Sequence, residues 1–288
     1  MIAVFGANGQ LGRELMAMCA ARGIPATGFF RTDADIADFA QVKAALLRVK
    51  PRLVVNTAAF TAVDKAESEV EAAEAGNIAG PENLARAAAE LGLPIVHFST
   101  DYVFDGNKAG AYVESDAIAP IGVYARTKAE GEARVRAANA HHIIVRTAWV
   151  YGQYGANFLK TMLRLAGERN ELRVVADQRG CPTATADLAE AVLAVDRSLQ
   201  AGAKPWGTYH FASSEVTNWH GFASAIVAAQ APLTGKHPKV TAITTADYPT
   251  PAPRPAYSVL DNCKLRDTFG IALPDWRTGL ALCAADIP

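Results

Sequence analysis

The sequence predicts a doubly wound α/β fold on a parallel sheet. Five short apolar runs, rich in β-branched or aromatic residues, recur through the first 150 positions of the 288-residue chain. Longer Ala-, Glu- and Arg-rich stretches with helical spacing lie between them. Strand runs without polar alternation are covered on both faces, and strands separated by helices pair in parallel.

The strand runs are Ile2–Phe5, Ala26–Phe30, Leu53–Val55, Ile95–Phe98 and Ile143–Val145. The helical stretches are Gln10–Arg22, Phe39–Val49, Asp64–Ala75, Pro81–Leu91 and Tyr124–Asn139. Pro51 and Pro94 each stand just before a strand run, where a helix has ended and cannot resume. After about Tyr151 the rhythm fails. Helices are predicted at Phe158–Gly167 and Ala186–Leu199, with the loop Asp177–Thr183 between them, and short strands at Thr208–Phe211 and Val240–Ile243. The proline-rich stretch Tyr248–Pro255 reads as an ordered extended segment forming one wall of a cleft, with a flexible linker as the alternative. The chain thus divides into residues 1–150 and a smaller lobe at 151–288, of which about 172–200 partly return to the first unit.

Composition excludes several classes. With 28 basic and 29 acidic residues the formal charge is −1, which creates no field for nucleic acid or an anionic bilayer. No run reaches the roughly 18 uncharged apolar residues of a membrane span. Cys19, Cys181, Cys263 and Cys283 show no metal-ligand spacing, and the start MIAVFGANGQ does not read as a secretory leader. Reduced cysteines and a cytoplasmic location are expected. The six histidines make no metal site.

The first strand run leads into Gly6-Ala7-Asn8-Gly9-Gln10-Leu11-Gly12, followed by a helix. In that context Gly6 serves a tight turn, Gly9 the approach of a pyrophosphate and Gly12 the packing of helix on strand, while helix amides favour phosphate charge. A merely tight turn is the plainer reading. A cofactor ribose belongs at the end of the second strand, where Arg31 stands, and acids follow only at Asp33 and Asp35. Arg31 suits the 2′-phosphate of NADP, which predicts a preference for NADPH over NADH; a solvated surface arginine is the alternative.

Tyr124 and Lys128 are spaced to share one helix face. An ammonium beside a phenol lowers its pKa toward working pH and makes it a proton donor or acceptor. Thr100, just past a strand end, can bond the same oxygen that Tyr124 protonates, or simply cap the strand. The small residues of Asn56-Thr57-Ala58-Ala59-Phe60-Thr61 admit a flat ring or ribose to the backbone.

The Gly-x-x-Gly-x-x-Gly turn, the small residues after Leu53–Val55, the Ser99-Thr100 pair and Tyr-x-x-x-Lys together resemble an extended short-chain dehydrogenase/reductase of Rossmann type. Thr61–Glu67, Ser99–Phe104, Arg146–Tyr151, Asn157-Phe158, Asp177-Gln178-x-Gly180-x-Pro182-Thr183 and Arg254-Pro255 narrow the resemblance to dTDP-4-dehydrorhamnose reductases, from about Met1 to Trp276. The resemblance implies a dinucleotide-binding first unit, a substrate-binding second lobe, and reduction of the 4-keto group of dTDP-4-dehydro-β-L-rhamnose by NADPH or NADH. It makes Tyr124 the proton donor, Lys128 the holder of the nicotinamide ribose and depressor of the phenol pKa, and Thr100 a tuner of the same network. It places Gly6, Gly9, Gln10, Leu11 and Gly12 at the pyrophosphate, Asp35 and Ile36 near the adenine, and Ala59, Phe60 and Thr61 near the ribose and nicotinamide. Asp101, Val103, Trp149 and Asn157 then contact the sugar nucleotide, and Arg254 its diphosphate.

Two departures stand out. Ala125-Arg126 follows the tyrosine where the family usually has glycine, and retained activity is expected. Glu14 sits where some members carry an acidic metal ligand, but no full set of acids accompanies it; a homodimer is compatible with the resemblance, a metal-bridged one is doubtful. The rivals are another sugar-nucleotide epimerase, dehydratase or reductase of this fold, and a non-catalytic dinucleotide-binding regulatory subunit.

Overall fold

Every residue of β1 (Ile2–Phe5) is buried because both faces of the strand are covered. Ile2 and Val4 join one apolar layer, with Leu15, Leu188 and Val192. Ala3 and Phe5 join the opposite layer, with Phe29, Leu46 and Leu84. That division is the two-residue alternation of a strand read in a continuous apolar run. A computed structural model describes residues 1–272 and 274–285 of the chain.

After β1 come α1 (Gln10–Ala21), β2 (Ala26–Phe29), α2 (Phe39–Val49) and β3 (Leu53–Asn56). The Asp38 side chain caps α2 by accepting the Ala40 and Gln41 amides, and Lys50 closes the helix in the left-handed region. The single helix predicted over 64–75 is broken. It forms α3 (Val63–Ala66), α4 (Val70–Glu74) and a π-helical turn at Ala75–Ala79 that runs into α5 (Gly80–Glu90). The carbonyl of Lys65 accepts the Ser68 hydroxyl at 3.2 Å, which draws the chain out of the helical path there.

Next come β4 (Ile95–Thr100), a 3₁₀ turn at Asp101–Val103, α6 (Val123–Ala138) and β5 (His142–Thr147). The later elements are β6 (Val150–Tyr151), α7 (Phe158–Glu168), β7 (Glu171–Val175), β8 (Arg179–Gly180), β9 (Thr183–Ala184), α8 (Thr185–Gln200) and β10 (Gly207–His210). They are followed by β11 (Thr217–Asn218), α9 (Trp219–Thr234), β12 (Lys239–Ile243), α10 (Cys263–Phe269) and α11 (Trp276–Ala285).

The central sheet runs β10-β5-β4-β3-β1-β2, all parallel. The chain steps outward from β1 to β2, then returns to the other side of β1 as β3, which puts the topological switch point between β1 and β3. From the second half, α8 packs on α1 in the apolar layer of Ile2 and Val4, and β10 forms the far edge of the sheet. By contrast β7 pairs with β12 away from the sheet, in a separate apolar cluster with α7 and α9.

Helix α9 was not anticipated. Its apolar residues surround the axis instead of forming one stripe, and Pro232 lies in its last turn. Asn218 starts it by accepting the Gly221 amide at 2.7 Å. Among the described residues no helix is long and apolar enough to cross a membrane, and Cys19, Cys181 and Cys263 are free thiols.

Candidate active site

Gly6 has φ of +80°, and a Cβ on it would lie 2.5 Å from the Ala58 amide nitrogen, so the loops after β1 and β3 touch there. A Cβ on Gly12 would lie 2.3 Å from the Gly6 carbonyl. Gly9 is different. A Cβ there would meet only the Gly6 oxygen, at 3.2 Å. Gly9 begins α1 with no side-chain cap, and no acid stands in the first turn. The unshared amides at that helix end could hold a diphosphate, which is the chemistry a dinucleotide needs. The side chain of Leu11 sits in the core beneath the turn, and Gln10 accepts a hydrogen bond from Asn157 at 2.9 Å.

At the end of β2, Arg31 is 85% exposed and its Nε pairs with Asp35 at 3.0 Å, so these two predicted residues act as one unit. Ile36 packs over Gly80, and its carbonyl accepts the Asn83 amide at 3.0 Å. Past β3, Ala59, Phe60 and Thr61 line the switch-point loop. Asn77, in the π-helical turn, grips both backbone groups of Phe60: its Oδ1 accepts the N–H at 2.9 Å and its Nδ2 donates to the carbonyl at 3.1 Å. The same Nδ2 donates to Thr127 on α6 at 3.1 Å. Gly131 on α6 admits this turn, since a Cβ there would come to 2.0 Å from the Asn77 carbonyl.

Helix α6 begins at the carboxylate of Glu67, which accepts the Val123 amide at 2.8 Å. At its second residue, Tyr124 meets Tyr102 edge-on, with ring centroids 6.1 Å apart. The Thr100 hydroxyl, at the end of β4, draws the Tyr124 phenol downward in pKa. Lys128 is buried on the same helix, and its Nζ donates to the Phe98 carbonyl at 2.6 Å.

The electrostatics reverse one expectation. Burial pushes the Tyr124 phenol up to about 12, against the pull of Thr100 and with help from the negative charge of Asp101. Burial also lowers Lys128 to about 8, opposed by Glu132. Desolvation therefore outweighs the ammonium, which is turned to a backbone carbonyl. The phenol is held as a proton donor.

Asp101 is 2% exposed. Its Oδ1 accepts the Thr100 hydroxyl at 3.0 Å. Burial raises it to about 7, held down in part by the hydroxyls of Ser258 and Thr100.

Of the residues expected on the substrate, Trp149 past β5 adopts φ of +47° and stacks on Trp219 with centroids 3.6 Å apart. Gly180 leaves room for it, as a Cβ there would strike the indole at 2.7 Å. Three others do different work. Val103 is wholly buried with Phe104, Tyr112 and Val259, and its side chain forms floor rather than surface. Asn157 spends its amide on Gln10 and on the Gly152 carbonyl, and its Oδ1 caps α7 at Lys160. Arg254 closes on Asp64, Thr250 and the Ala252 carbonyl. In each case a partner distant in sequence or a cap position claims the side chain. Glu14 accepts the Thr185 hydroxyl at 2.8 Å, and among the described residues no group of three or more His, Cys, Asp or Glu could hold a metal ion.

Asn77 and Trp219 escaped the sequence reading, and Glu67 entered it only as the end of the Thr61–Glu67 string, without a role. A signal existed for Asn77, a Gly-Asn pair after an Ala-rich helical stretch; none marked Trp219.

A parallel sheet with an open glycine turn at its switch point, and a helix beside it carrying half-buried Tyr124 and buried Lys128, defines an oxidoreductase of the short-chain dehydrogenase/reductase type. The family profile described as RmlD substrate binding domain matches residues 1–287. A dTDP-4-dehydrorhamnose reductase of Sinorhizobium fredii is 46% identical over 278 residues, covering 96% of this chain and 94% of the relative. The crystal structure of a dTDP-4-dehydrorhamnose reductase from Clostridium acetobutylicum superposes with a TM-score of 0.91 at 42% identity, covering 99% of this chain and 98% of that one. One from Bacillus anthracis, solved in complex with NADP, gives 0.90 at 35% identity and 99% coverage of both chains. The chain belongs to the RmlD family of dTDP-4-dehydrorhamnose reductases.

Proposed function

We propose that this protein reduces the 4-keto group of dTDP-4-dehydro-β-L-rhamnose to the alcohol, giving dTDP-L-rhamnose, with NADPH or NADH. The observation that carries the reading is the half-buried Tyr124 phenol, kept protonated, one helical turn from the buried Lys128 and beside Thr100 at the carboxyl edge of the sheet. The family's relatives are named for this reaction. Residues 1–150 hold the dinucleotide and the later lobe the sugar nucleotide, in a cytoplasmic enzyme for which homodimer formation is compatible.

In this reading Gly6, Gly9 and Gly12, with the amides of Gln10 and Leu11, hold the pyrophosphate. Asp35 and Ile36 flank the adenine. Arg31 stands at the ribose, and its pair with Asp35 uses Nε. Ala59, Phe60 and Thr61 border the nicotinamide end, fixed there by Asn77. When bound, the reduced nicotinamide supplies the hydride. Tyr124 gives its proton to the developing alkoxide, Thr100 donates toward the same oxygen, and Lys128 steadies the ribose. Asp101 and the Trp149 ring meet the sugar nucleotide.

The test is incubation of the purified protein with dTDP-4-dehydro-L-rhamnose and NADPH. Loss of reduced-nicotinamide absorbance with recovery of dTDP-rhamnose is the expected result. Protein that emerges with tightly bound NAD⁺, and converts sugar nucleotides without net cofactor consumption, would instead be an epimerase.

A further inference from the structure

Between the ends of β1 and β2 lies a cavity of about 460 Å³, lined by Ala7, Arg13, Met16, Gly28, Phe30 and Tyr154. Ala7 belongs to the glycine turn, while Gly28 and Phe30 mark the end of β2. Arg13 and Met16, three residues apart on α1, turn one face of that helix toward the strand. Gly28 keeps the floor low, since a Cβ there would lie 2.6 Å from the Ala7 Cβ and 3.5 Å from the Met16 Sδ. Tyr154, half-buried, comes from the second lobe. Its loop is fastened over α1 by Asn157, which donates to the Gln10 side chain at 2.9 Å. Gly155, with φ of +68°, makes room for the same side chain, because a Cβ there would lie 2.8 Å from the Gln10 Cγ.

Among the residues lining this cavity, Arg13 alone carries a charge. Its amide donates to the Gly9 carbonyl at 3.0 Å, which sets it one turn below the residue at the open end of the helix. No hydrogen-bond or ion-pair partner among the described residues engages its guanidinium. By contrast Arg22, at the other end of α1, pairs with Glu190. The acids closest to Arg13 and Arg31 in sequence are committed elsewhere. Glu14 is buried and accepts the Thr185 hydroxyl. Asp33 accepts the Phe30 amide at 2.9 Å, and Asp35 takes both the Arg31 Nε and the Ala37 amide at 3.0 Å.

We propose that Arg13, with Tyr154 above it, reads the 2′-phosphate of NADPH in this cavity, in place of Arg31. The proposal rests on the reading of the chain as a nicotinamide-dependent reductase and names what separates its two cofactors. A diphosphate on the amides of α1 puts the adenosine ribose at the end of β2, where the cavity lies. NADH brings a hydroxyl there. NADPH brings a phosphate monoester of about −1.5 to −2 charge, which calls for a cation with free N–H groups. Arg13 has its whole fork of donors free. Arg31 is 85% exposed, stands outside the lining and has spent Nε on Asp35. The Tyr154 hydroxyl, with no partner among the described residues, adds a donor from the second lobe. The cofactor site therefore draws on both parts of the chain.

The experiment is calorimetric titration of wild type, Arg13→Gln, Arg13→Lys, Tyr154→Phe and Arg31→Gln. Each is titrated with NADP⁺ and NAD⁺, and with adenosine 2′,5′-bisphosphate and 5′-AMP. Wild type is expected to favour NADP⁺ over NAD⁺, and the bisphosphate over AMP, by about 10–100-fold, the size of hydrogen bonds to a charged group. Arg13→Gln should lose most of both preferences while its NAD⁺ affinity holds. Arg13→Lys should keep part of them, as a point charge without the fork. Tyr154→Phe should lose about threefold on NADP⁺ alone, the loss of one neutral donor. Arg31→Gln should keep the wild-type preference. Melting curves without ligand check that each variant is folded. An Arg13→Gln protein that loses affinity for both dinucleotides alike overturns the proposal. So does a preference that survives in Arg13→Gln and vanishes in Arg31→Gln, or wild type that binds the two cofactors equally. Wild type that binds neither dinucleotide overturns the reductase reading, and the phosphate site with it.

Discussion

The guanidinium of Arg254 closes on the carboxylate of Asp64 at two points, 3.0 and 2.9 Å, across 190 residues of sequence. Asp64 Oδ1 also accepts the Ala252 amide at 3.2 Å, so one carboxylate on α3 fastens the proline-rich segment to the first half of the chain. Pro255 then lies against Gly106, whose φ of +84° brings its backbone close. The pair is partly exposed, and its contribution to stability is about 1 kcal/mol or less. Its larger effect is positional. In Asp64→Ala the melting temperature should fall by only a few degrees, while KM for the sugar nucleotide rises about fivefold, the equivalent of ~1 kcal/mol in binding. Steady-state kinetics and a thermal melt read both. A large loss of stability with KM unchanged would make the pair purely structural.

Tyr124→Phe removes one hydroxyl from a half-buried ring and keeps its packing against Tyr102. Turnover should drop by roughly 10²–10⁴, the usual size of a positioned acid. NADPH affinity should change little, because the cradle after β1 is untouched. Fluorescence titration of NADPH beside single-turnover rates separates the two effects. Turnover near the wild-type rate would remove the phenol from the reaction.

Two glycines of one turn should fail in opposite ways. A methyl at residue 12 meets backbone at 2.3 Å on a packed helix, so Gly12→Ala should lose stability. At residue 9 the same methyl meets one carbonyl oxygen at 3.2 Å and otherwise projects over the open end of α1. Gly9→Ala should fold and melt near wild type but bind the dinucleotide about tenfold or more weakly, since the backbone is held off the phosphates. Melting curves with and without NADPH test the contrast. Equal loss of stability in both would place Gly9 in the packing as well.

Much of this was readable from residues close together in sequence. The run Ile-Ala-Val-Phe at the start feeds both apolar layers, and its unbroken apolarity announced a strand covered on two sides. Tyr124 and Lys128 share α6, as their spacing required, with Lys128 buried and Tyr124 half-buried. What pattern could not reach depended on partners far along the chain. Asn157 is claimed by Gln10, 147 residues away, and Arg254 by Asp64. The Tyr124 phenol is raised rather than lowered because Lys128 turns its charge to the Phe98 carbonyl, a direction that residue spacing does not contain. The π-helical turn that lets Asn77 grip Phe60 depends on Gly131 of α6 admitting it.

The buried Asp101 carboxyl also makes a prediction about stability. Its folded value of about 7 lies above the ordinary 3.8, so between those values the native state holds a proton that the unfolded chain has released. Stability from this group is complete below the unfolded value and is lost as pH rises through the folded one. The three-unit gap corresponds to at most ~4 kcal/mol. Asparagine keeps the shape and cannot ionise. Asp101→Asn should therefore gain on wild type between pH 4 and pH 8, by up to that amount, whatever the substitution costs at pH 4. Asp187, raised to about 6 by burial, titrates in both proteins and cancels in the difference. Urea unfolding of the two proteins at both pH values gives the comparison directly. Parallel pH dependence would mean that Asp101 is ionised in the native protein at pH 4 as it is in the unfolded chain, and its place at the end of the Thr100 hydrogen bond would then be that of a fixed charge.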